Sequence, residues 1–274
     1  MSKKIETNYF EELISVILPT YNSSKTIKRT IESIYNQKID NPIEIIIVDD
    51  NSSDKTVEII KNFSSNKKIK LRCIKNETNM GSGYCRKIAI DNAIGFFIAF
   101  LDSDDYWLRD KLYKQLNFLQ RNPNINFVYS DYLKEINFKK KIFLYHMQMP
   151  KFISAETNRY INHIPNSSVL IKSNIAKKIP YPLIRVRNDF LYWNKILLSD
   201  KFIKAYNSNL GEPLFIYGSI QGISKKNLNL ILKQWELYRI YFKYSIFKSL
   251  IGLILNVLLS LKNIISFNIF LIFK

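Results

Sequence analysis

Short apolar runs recur along the first 130 positions, and stretches with helical spacing fill the gaps between them. Ile14–Leu18 is a β-branched run closed by Pro19, the pattern of a buried strand. Ile43–Val48 is almost continuously apolar, as a parallel strand covered on both faces should be. Ile69–Ile74 alternates, which suits a strand nearer an edge, and Phe96–Leu101 and Asn126–Tyr129 supply two more. Between them Ile27, Ile31 and Ile34 fall at helical spacing. Further helical stretches hold Val57, Ile59 and Ile60, then 84–93, then 111–120. Ser23 or Ser24 is placed to cap the first helix and Asp54 the second. Strands alternating with helices of this length predict an α/β fold with an open, mostly parallel central sheet flanked by helices. Beyond position 130 the pattern loosens. Strand-like stretches stand at Phe143–Tyr145 and Ser168–Ile171, and helices are predicted over 189–199 and 227–244. No repeat or clean linker interrupts the chain, so 1–220 reads as one domain, followed by a tail at 221–274.

In an open α/β sheet, ligands bind beyond the carboxyl ends of the strands. Three of the predicted strands end in polar clusters: Pro19-Thr20-Tyr21-Asn22, Asp49-Asp50-Asn51-Ser52-Ser53-Asp54, and Asp102-Ser103-Asp104-Asp105. Ordinary loop composition explains one such cluster better than three. Asp102 and Asp104 are two apart, so an extended chain would point both carboxylates the same way. Close carboxylates repel unless a cation lies between them. A hard divalent ion, Mg²⁺ or Mn²⁺, satisfies both and can bridge to a diphosphate. The other reading is a helix cap, and Asp105 can cap while Asp102 and Asp104 bind. Asp50 is placed to accept from a base ring N–H, and its neighbour Asp49 to hold the turn. Tyr21 could stack on a base or lie in the core or on the surface.

Composition narrows the function classes. Lys and Arg number 41 against 23 Asp and Glu, a formal charge of +18 that favours an anionic neighbour: nucleic acid, an acidic membrane surface or a phosphorylated ligand. With no CxxC and only two histidines a zinc site is not expected, and the count of two cysteines suits a reducing compartment. The charged N-terminus lacks the apolar core of a secretory signal. No GxGxxG follows the first strand and no GxxxxGK[ST] occurs, which argues against a dinucleotide oxidoreductase and a P-loop NTPase.

The stretches ISVILPTYN (14–22), IESIYNQ (31–37), IEIIIVDDNSSDKT (43–56), NMGSGYCRKIAIDNA (79–93) and FIAFLDSDDYWLRDKL (97–112) resemble, in order and spacing, those of family 2 glycosyltransferases of the GT-A fold, the bacterial surface-polysaccharide type. The resemblance covers about the first 130 residues. It implies an inverting transferase with a nucleotide-sugar donor, 1–130 forming the donor half and 131–220 the acceptor half. By similarity, Pro19, Thr20 and Tyr21 line the nucleoside pocket, and Asp50 accepts from a base, which favours uracil or thymine. Arg86 lies near the pyrophosphate, Asp102 and Ser103 belong to the donor site, and Asp102 and Asp104 hold a divalent metal, Mn²⁺ or Mg²⁺. The family's base closes a Glu-Asp pair; here Asn188-Asp189 stands in its place, so Asp189 is the candidate base, with a helix cap as its other reading. Positions 163–168 are candidates for the acceptor pocket. The Gln-x-x-Arg-Trp motif of processive synthases is absent, and a single-addition transferase is expected.

The tail from Ser245 to Phe273 is strongly apolar, with charges only at Lys248 and Lys262. As a helix it would be about 43 Å long. Its longest run free of charged residues is Ser249–Leu261, short for an ordinary span. An interfacial helix on an anionic membrane surface is the favoured expectation, against a helix packed on the catalytic domain or a true span. The expected location is therefore cytoplasmic, peripheral on the inner face of the membrane. The expected partners are the donor, a saccharide or lipid-linked acceptor, and that surface. A nucleic-acid partner is not expected, because the lysines are dispersed and the strand ends acidic. A scaffold that has lost catalysis is the remaining alternative, although Asp102, Asp104 and Asp189 are all present.

Overall fold

The computed structural model describes residues 11–138, 141–218 and 228–272. The expected domain boundary at 220/221 and the start of the helix predicted from 227 lie outside the described residues. The elements run β1 (Ile14–Thr20), α1 (Ile27–Tyr35), β2 (Ile43–Asp49), α2 (Thr56–Lys61), β3 (Ile69–Lys75), α3 (Ser82–Asn92), β4 (Phe97–Phe100), β5 (Tyr106–Trp107), α4 (Lys111–Arg121), β6 (Phe127–Tyr129), β7 (Asp131–Phe138), β8 (Lys141–Met147) and β9 (Phe152–Ile153). They continue with β10 (Leu170–Lys172), α5 (Ser173–Ala176), α6 (Asn188–Ser199), β11 (Ala205–Asn207), β12 (Pro213–Tyr217), α7 (Leu228–Glu236) and α8 (Ile246–Ile272).

The larger sheet has eight strands in the order β3-β2-β1-β4-β10-β6-β11-β9. β3, β2, β1 and β4 are mutually parallel. β10 then runs antiparallel between β4 and β6, so the fifth predicted strand does not join its predecessor directly. The parallel strands are apolar throughout because helices cover both faces: every residue of β1 and β2 is buried. Their side chains divide with the two-residue period of a strand. Ile14, Val16 and Leu18 meet α1, α2 and α4 on one face. Ile17, Ile46 and Val48 meet α3 and α6 on the other, where Trp193 and Tyr192 fill the core. A second, four-stranded sheet, β5-β12-β7-β8, backs the carboxyl end of β4.

Two predicted caps are corrected. The Ser23 hydroxyl does not cap α1, whose capping residue is Thr26; it faces the Ser103 hydroxyl at 2.8 Å across the sheet end. Asp105 does not cap α4, which begins only at Lys111; its carboxylate is buried and accepts from Ser167 Oγ and Gly218 N. The burial, followed by the charges of Asp104 and Asp102, pushes that carboxyl well above the ordinary range. Asp54 does accept from the Thr56 amide at the start of α2, at 3.0 Å.

The last two described helices pack on the body of the protein. Leu237 and Tyr238, in a π-helical stretch between them, join Phe190 and Leu191 of α6 in one cluster. α8 is a single helix, and it docks by small and polar residues. Ser249 and Gly252 are buried, and Asn256 Nδ2 donates to Tyr160 O and to the Tyr238 hydroxyl, each at 2.8 Å. Its large apolar side chains point outward; Phe247 is 73 % exposed and Leu258 56 %.

Candidate active site

The strand order 3-2-1-4 places β1 between β2 and β4, and the chain reverses its direction of travel across the sheet there. That is where α/β sheets open a crevice beyond the strand ends. The three polar clusters emerge together at this edge. A cleft of about 600 Å³ opens there, lined by Pro19, Thr20, Tyr21, Asp50, Arg86, Asp102, Ser103 and Asp104 among others. All seven residues predicted for the donor, and both predicted for the metal, thus line one cavity.

Local hydrogen bonds hold its floor. Asp49 fixes the turn after β2 as expected, accepting from Ser52 N at 3.0 Å and from Ser52 Oγ. Asp50 is buried and already accepts from Asn76 Nδ2 and Met80 N on Oδ1 and from Gly81 N on Oδ2. The Cys85 thiol adds a further side-chain hydrogen bond to the same carboxylate. Gly81 reaches it with φ +92, a conformation that favours glycine. The residues 102–105 are not extended, as the spacing argument assumed. They form a turn closed by Asp105 N donating to Asp102 O at 3.1 Å. Gly218 is pressed against this turn; a Cβ there would lie 2.1 Å from Asp104 O.

Arg86 is the hub. Its guanidinium donates to Asp102 Oδ1 at 2.5 Å and to Asn188 Oδ1 at 2.7 Å. Burial by itself would lower its pKa, but the charge of Asp102, then of Tyr181 and Asp189, drives the net shift upward. Asn188, which stands where the resemblance leads one to expect Glu, accepts from the arginine as a neutral residue. Asp102 Oδ1 also accepts from Asn166 Nδ2 at 2.8 Å, which leaves Oδ2 for a ligand. Desolvation, and then the charge of Asp102, raise the Asp104 carboxyl to about 6.

A second cleft of about 840 Å³ shares Asp102 and Asp104 with the first. Asp189 lines it from the first turn of α6, and Asn162 Nδ2 donates to its Oδ2 at 2.8 Å. Of the stretch 163–168, residues 163–167 line this cleft. Sequence reasoning did not single out Asn162, Lys134, Tyr217 or Arg187 as lining. It also did not foresee Leu259, Lys262 and Asn263 of α8 in the wall. They arrive from separate parts of the chain, so no local spacing marks them. Arg187, a non-glycine at φ 62 two residues before the candidate base, stands out only in the backbone. Three of the nine buried side-chain polar atoms without hydrogen-bond partners among the described residues, Thr20 Oγ1, Arg86 Nε and Asn166 Oδ1, belong to residues lining the two clefts. Such orphans are uncommon in folded proteins outside functional sites.

Known proteins share this arrangement. Residues 15–177 match the family model described as glycosyl transferase family 2. The Escherichia coli UDP-Glc:alpha-D-GlcNAc-diphosphoundecaprenol beta-1,3-glucosyltransferase WfaP is 38 % identical over 204 residues, 74 % of this chain and 77 % of that one. The Bacillus subtilis (strain 168) putative teichuronic acid biosynthesis glycosyltransferase TuaG is 30 % identical over 234 residues, 85 % and 89 % of the two chains. The crystal structure of S. aureus TarS 1–349 in complex with UDP-GlcNAc has the same fold, with a TM-score of 0.64 at 23 % identity. That match covers 81 % of this chain and 64 % of the staphylococcal one, so this chain spans less than two thirds of the TarS fragment. With the strand-end cleft, the carboxylate pair and a family model covering more than half of its length, the chain belongs to glycosyl transferase family 2 and is a glycosyltransferase of GT-A fold.

Proposed function

We propose that the protein transfers a sugar, with inversion, from a UDP-sugar to a hydroxyl of a lipid-linked saccharide in surface-polysaccharide synthesis, and that it works at the inner face of the membrane. The observation that carries this reading is the wall common to the two clefts. Asp102 and Asp104 belong to both, the donor residues line the first, and Asp189 lines the second. A donor in the first cleft thereby presents its diphosphate to the carboxylate pair and its anomeric carbon toward Asp189. In the donor cleft the half-exposed Tyr21 offers a ring for the base, and Asp50 lines the same cleft as the acceptor for a base N–H. The E. coli relative's UDP-Glc donor and diphosphoundecaprenol-linked acceptor support both substrate classes.

The carboxylate pair fits a hard divalent ion, Mn²⁺ or Mg²⁺. Asp104 is partly desolvated beside a second negative charge, a cost that a cation relieves. No third His, Cys, Asp or Glu joins the pair among the described residues. Such a set suits an ion whose shell is completed by diphosphate oxygens and water. A Pyrobaculum calidifontis mannosyltransferase of the same fold, with a TM-score of 0.57, was solved with GDP-Man and Mn²⁺. When bound, the ion neutralises charge that develops on the leaving diphosphate. The chain's own part follows from its residues. Asp189 takes the proton of the attacking hydroxyl, and Asn162 holds its carboxylate in one orientation. Arg86 sets the position of Asp102 and places a fixed positive charge beside the diphosphate.

The membrane reading rests on α8. Over Ile246–Asn263 it is long and apolar enough to cross a bilayer, yet only 11 % of that window is buried. The docking face is mostly small and polar, with Leu253 added to it, and many of the large apolar side chains of α8, such as Phe247, Ile254 and Leu258, stay exposed, a surface that suits lipid. The test is UDP release from a panel of UDP-sugars, with a diphosphate-lipid GlcNAc acceptor and Mn²⁺, with and without chelator. Acceptor-dependent release that the chelator abolishes is expected; full activity in chelator would refute the metal role. Flotation with anionic liposomes should carry the intact chain upward and leave a chain truncated after Tyr244 behind.

A further inference from the structure

A third cavity, of about 580 Å³, opens between α7 and α8, and neither the donor nor Asp189 explains it. Its walls are mainly apolar: Leu230 and Ile231 from α7, Leu253, Val257, Leu259 and Leu261 from α8. It is continuous with the cleft of Asp189. Asn162, Arg187, Leu259 and Asn263 line both cavities, and Asn162 is the residue that bonds Asp189. At this junction stand two cations. Arg187 precedes α6 in the left-handed conformation, and Lys262 of α8 lines the catalytic cleft between two groove residues, Leu261 and Asn263. Neither has an ion-pair partner among the described residues. Asp102, Asp104 and Asp189 lie in the cleft itself. Asp102, Asp104, Asp189 and both unpaired cations thus line one cleft, and Arg187 also lines the adjoining apolar groove.

We propose that the α7–α8 groove is the seat of the acceptor's lipid chain, and that Arg187 and Lys262 together bind the diphosphate joining that chain to the acceptor sugar. This rests on the lipid-linked acceptor reading above and assigns it to residues. The occupant's charges complement the site. A sugar hydroxyl meets the base, a dianionic linker meets the two cations, and an aliphatic chain lies on leucine, isoleucine and valine. Arginine suits the linker because its planar fork matches phosphate oxygens, and lysine adds a point charge. The same arrangement explains why α8 docks with its polar side inward: this orientation brings Lys262 into the cleft and leaves the groove mouth beside the helix's bare apolar face, where a bilayer would lie. Gln234, buried on α7, adds a carboxamide to the groove wall; it lies beside the Tyr238 hydroxyl, but neither of its polar atoms reaches hydrogen-bond geometry.

Geranylgeranyl diphosphate is a suitable probe, because its binding does not depend on the identity of the acceptor sugar. Calorimetry on the full chain should show binding that Arg187→Ala and Lys262→Ala each weaken by about tenfold, while Lys248→Ala, which removes the other lysine of α8, leaves it unchanged. Ile231→Asp, a half-exposed groove position, should weaken the probe and leave inorganic diphosphate unaffected. Kinetically, Lys262→Ala should raise the KM for a diphosphate-lipid GlcNAc acceptor with little change in kcat, whereas a merely structural role would lower both acceptor use and UDP affinity. The site is overturned if geranylgeraniol binds as well as the diphosphate, if Lys248→Ala costs as much as Lys262→Ala, or if phosphatidylglycerol vesicles displace the probe as effectively as a diphosphate lipid. Use of a lipid-linked acceptor with unaltered KM in both cation variants sinks the site and leaves the acceptor reading standing. Equal transfer to a soluble saccharide sinks the acceptor reading itself.

Discussion

The two halves of the cleft are built differently. On the donor side, residues 19–22, 49–54 and 102–105 sit at the ends of adjacent parallel strands, and strand register sets their spacing before any side chain takes part. On the acceptor side, Asp189 lies in the first turn of a helix, Asn162 on a loop, Asn166 at the start of a short 3-10 turn, and Lys262 on the last described helix. Contacts between residues far apart in sequence tie the halves together at the chemistry, among them Arg86 to Asn188, 102 positions apart, Asn166 to Asp102, 64 apart, and the Asp102 amide to Ser167, 65 apart. A rigid ladder supports the half proposed to bind the donor. The half proposed to fit the acceptor is assembled from loops and helix ends, which can vary without disturbing the sheet.

The comparison can be broken most severely at the shared wall. Asp104→Ala should remove both the ion and the diphosphate it bridges, and transfer should fall by about 10³-fold or more, with loss of UDP binding by calorimetry. Retained activity in metal-free buffer would show that the wall is not shared in function. Asp189→Asn should separate the halves cleanly. Turnover should drop by about 10²-fold or more with UDP affinity preserved. If UDP affinity falls and turnover does not, Asp189 belongs to the donor side.

A pH series sharpens the same distinction. Asp104 titrates at about 6 because burial and Asp102 oppose its charge. The ion needs the deprotonated carboxylate, so Mn²⁺-dependent UDP affinity should fall as pH drops below about 6, approaching tenfold per unit. Without metal the sign for stability is opposite. The folded state holds this proton more tightly than the unfolded chain, so raising pH from the ordinary carboxylate range through about 6 should destabilise the metal-free protein. Mn²⁺ should recover the loss, and thermal melts with and without it would show a gap that widens with pH. A flat gap would mean that Asp104 does not meet the ion.

The smallest effect concerns the far end of the acceptor side. A Cβ on Gly252 would stand 2.7 Å from the Tyr238 ring, so Gly252→Leu should loosen α8 by about 1–3 kcal/mol. Hydrogen exchange should quicken in α8 while UDP affinity holds. Equal quickening in β1 and β2 would show that α8 is part of the same cooperative unit as the donor half.

The donor half was largely legible in advance. Uninterrupted apolar runs named the parallel strands, and the polar residues that end them had to converge because parallel neighbours finish on the same edge. Where legibility failed, side chains had choices. Ser23 and Asp105 have the composition of caps, but a partner from another element, Ser103 in one case and Ser167 and Gly218 in the other, took the hydrogen bond. The tail's composition announced an apolar helix without saying which face the protein would use. Packing chose the face with Ser249, Gly252 and Asn256, because only small residues allow the close approach to Tyr160 and Tyr238.

The sequence by itself determined the α/β class, the strand-end edge and which residues line the cleft there. Those depend on two short-range periodicities and on the motifs that close each strand. Tertiary structure alone decided that Asn188 accepts from Arg86, that Asn162 orients Asp189, and that α8 walls the acceptor cleft with Lys262. Such contacts join positions tens to more than a hundred residues apart, and their partners are set by how whole layers pack, which no local pattern records.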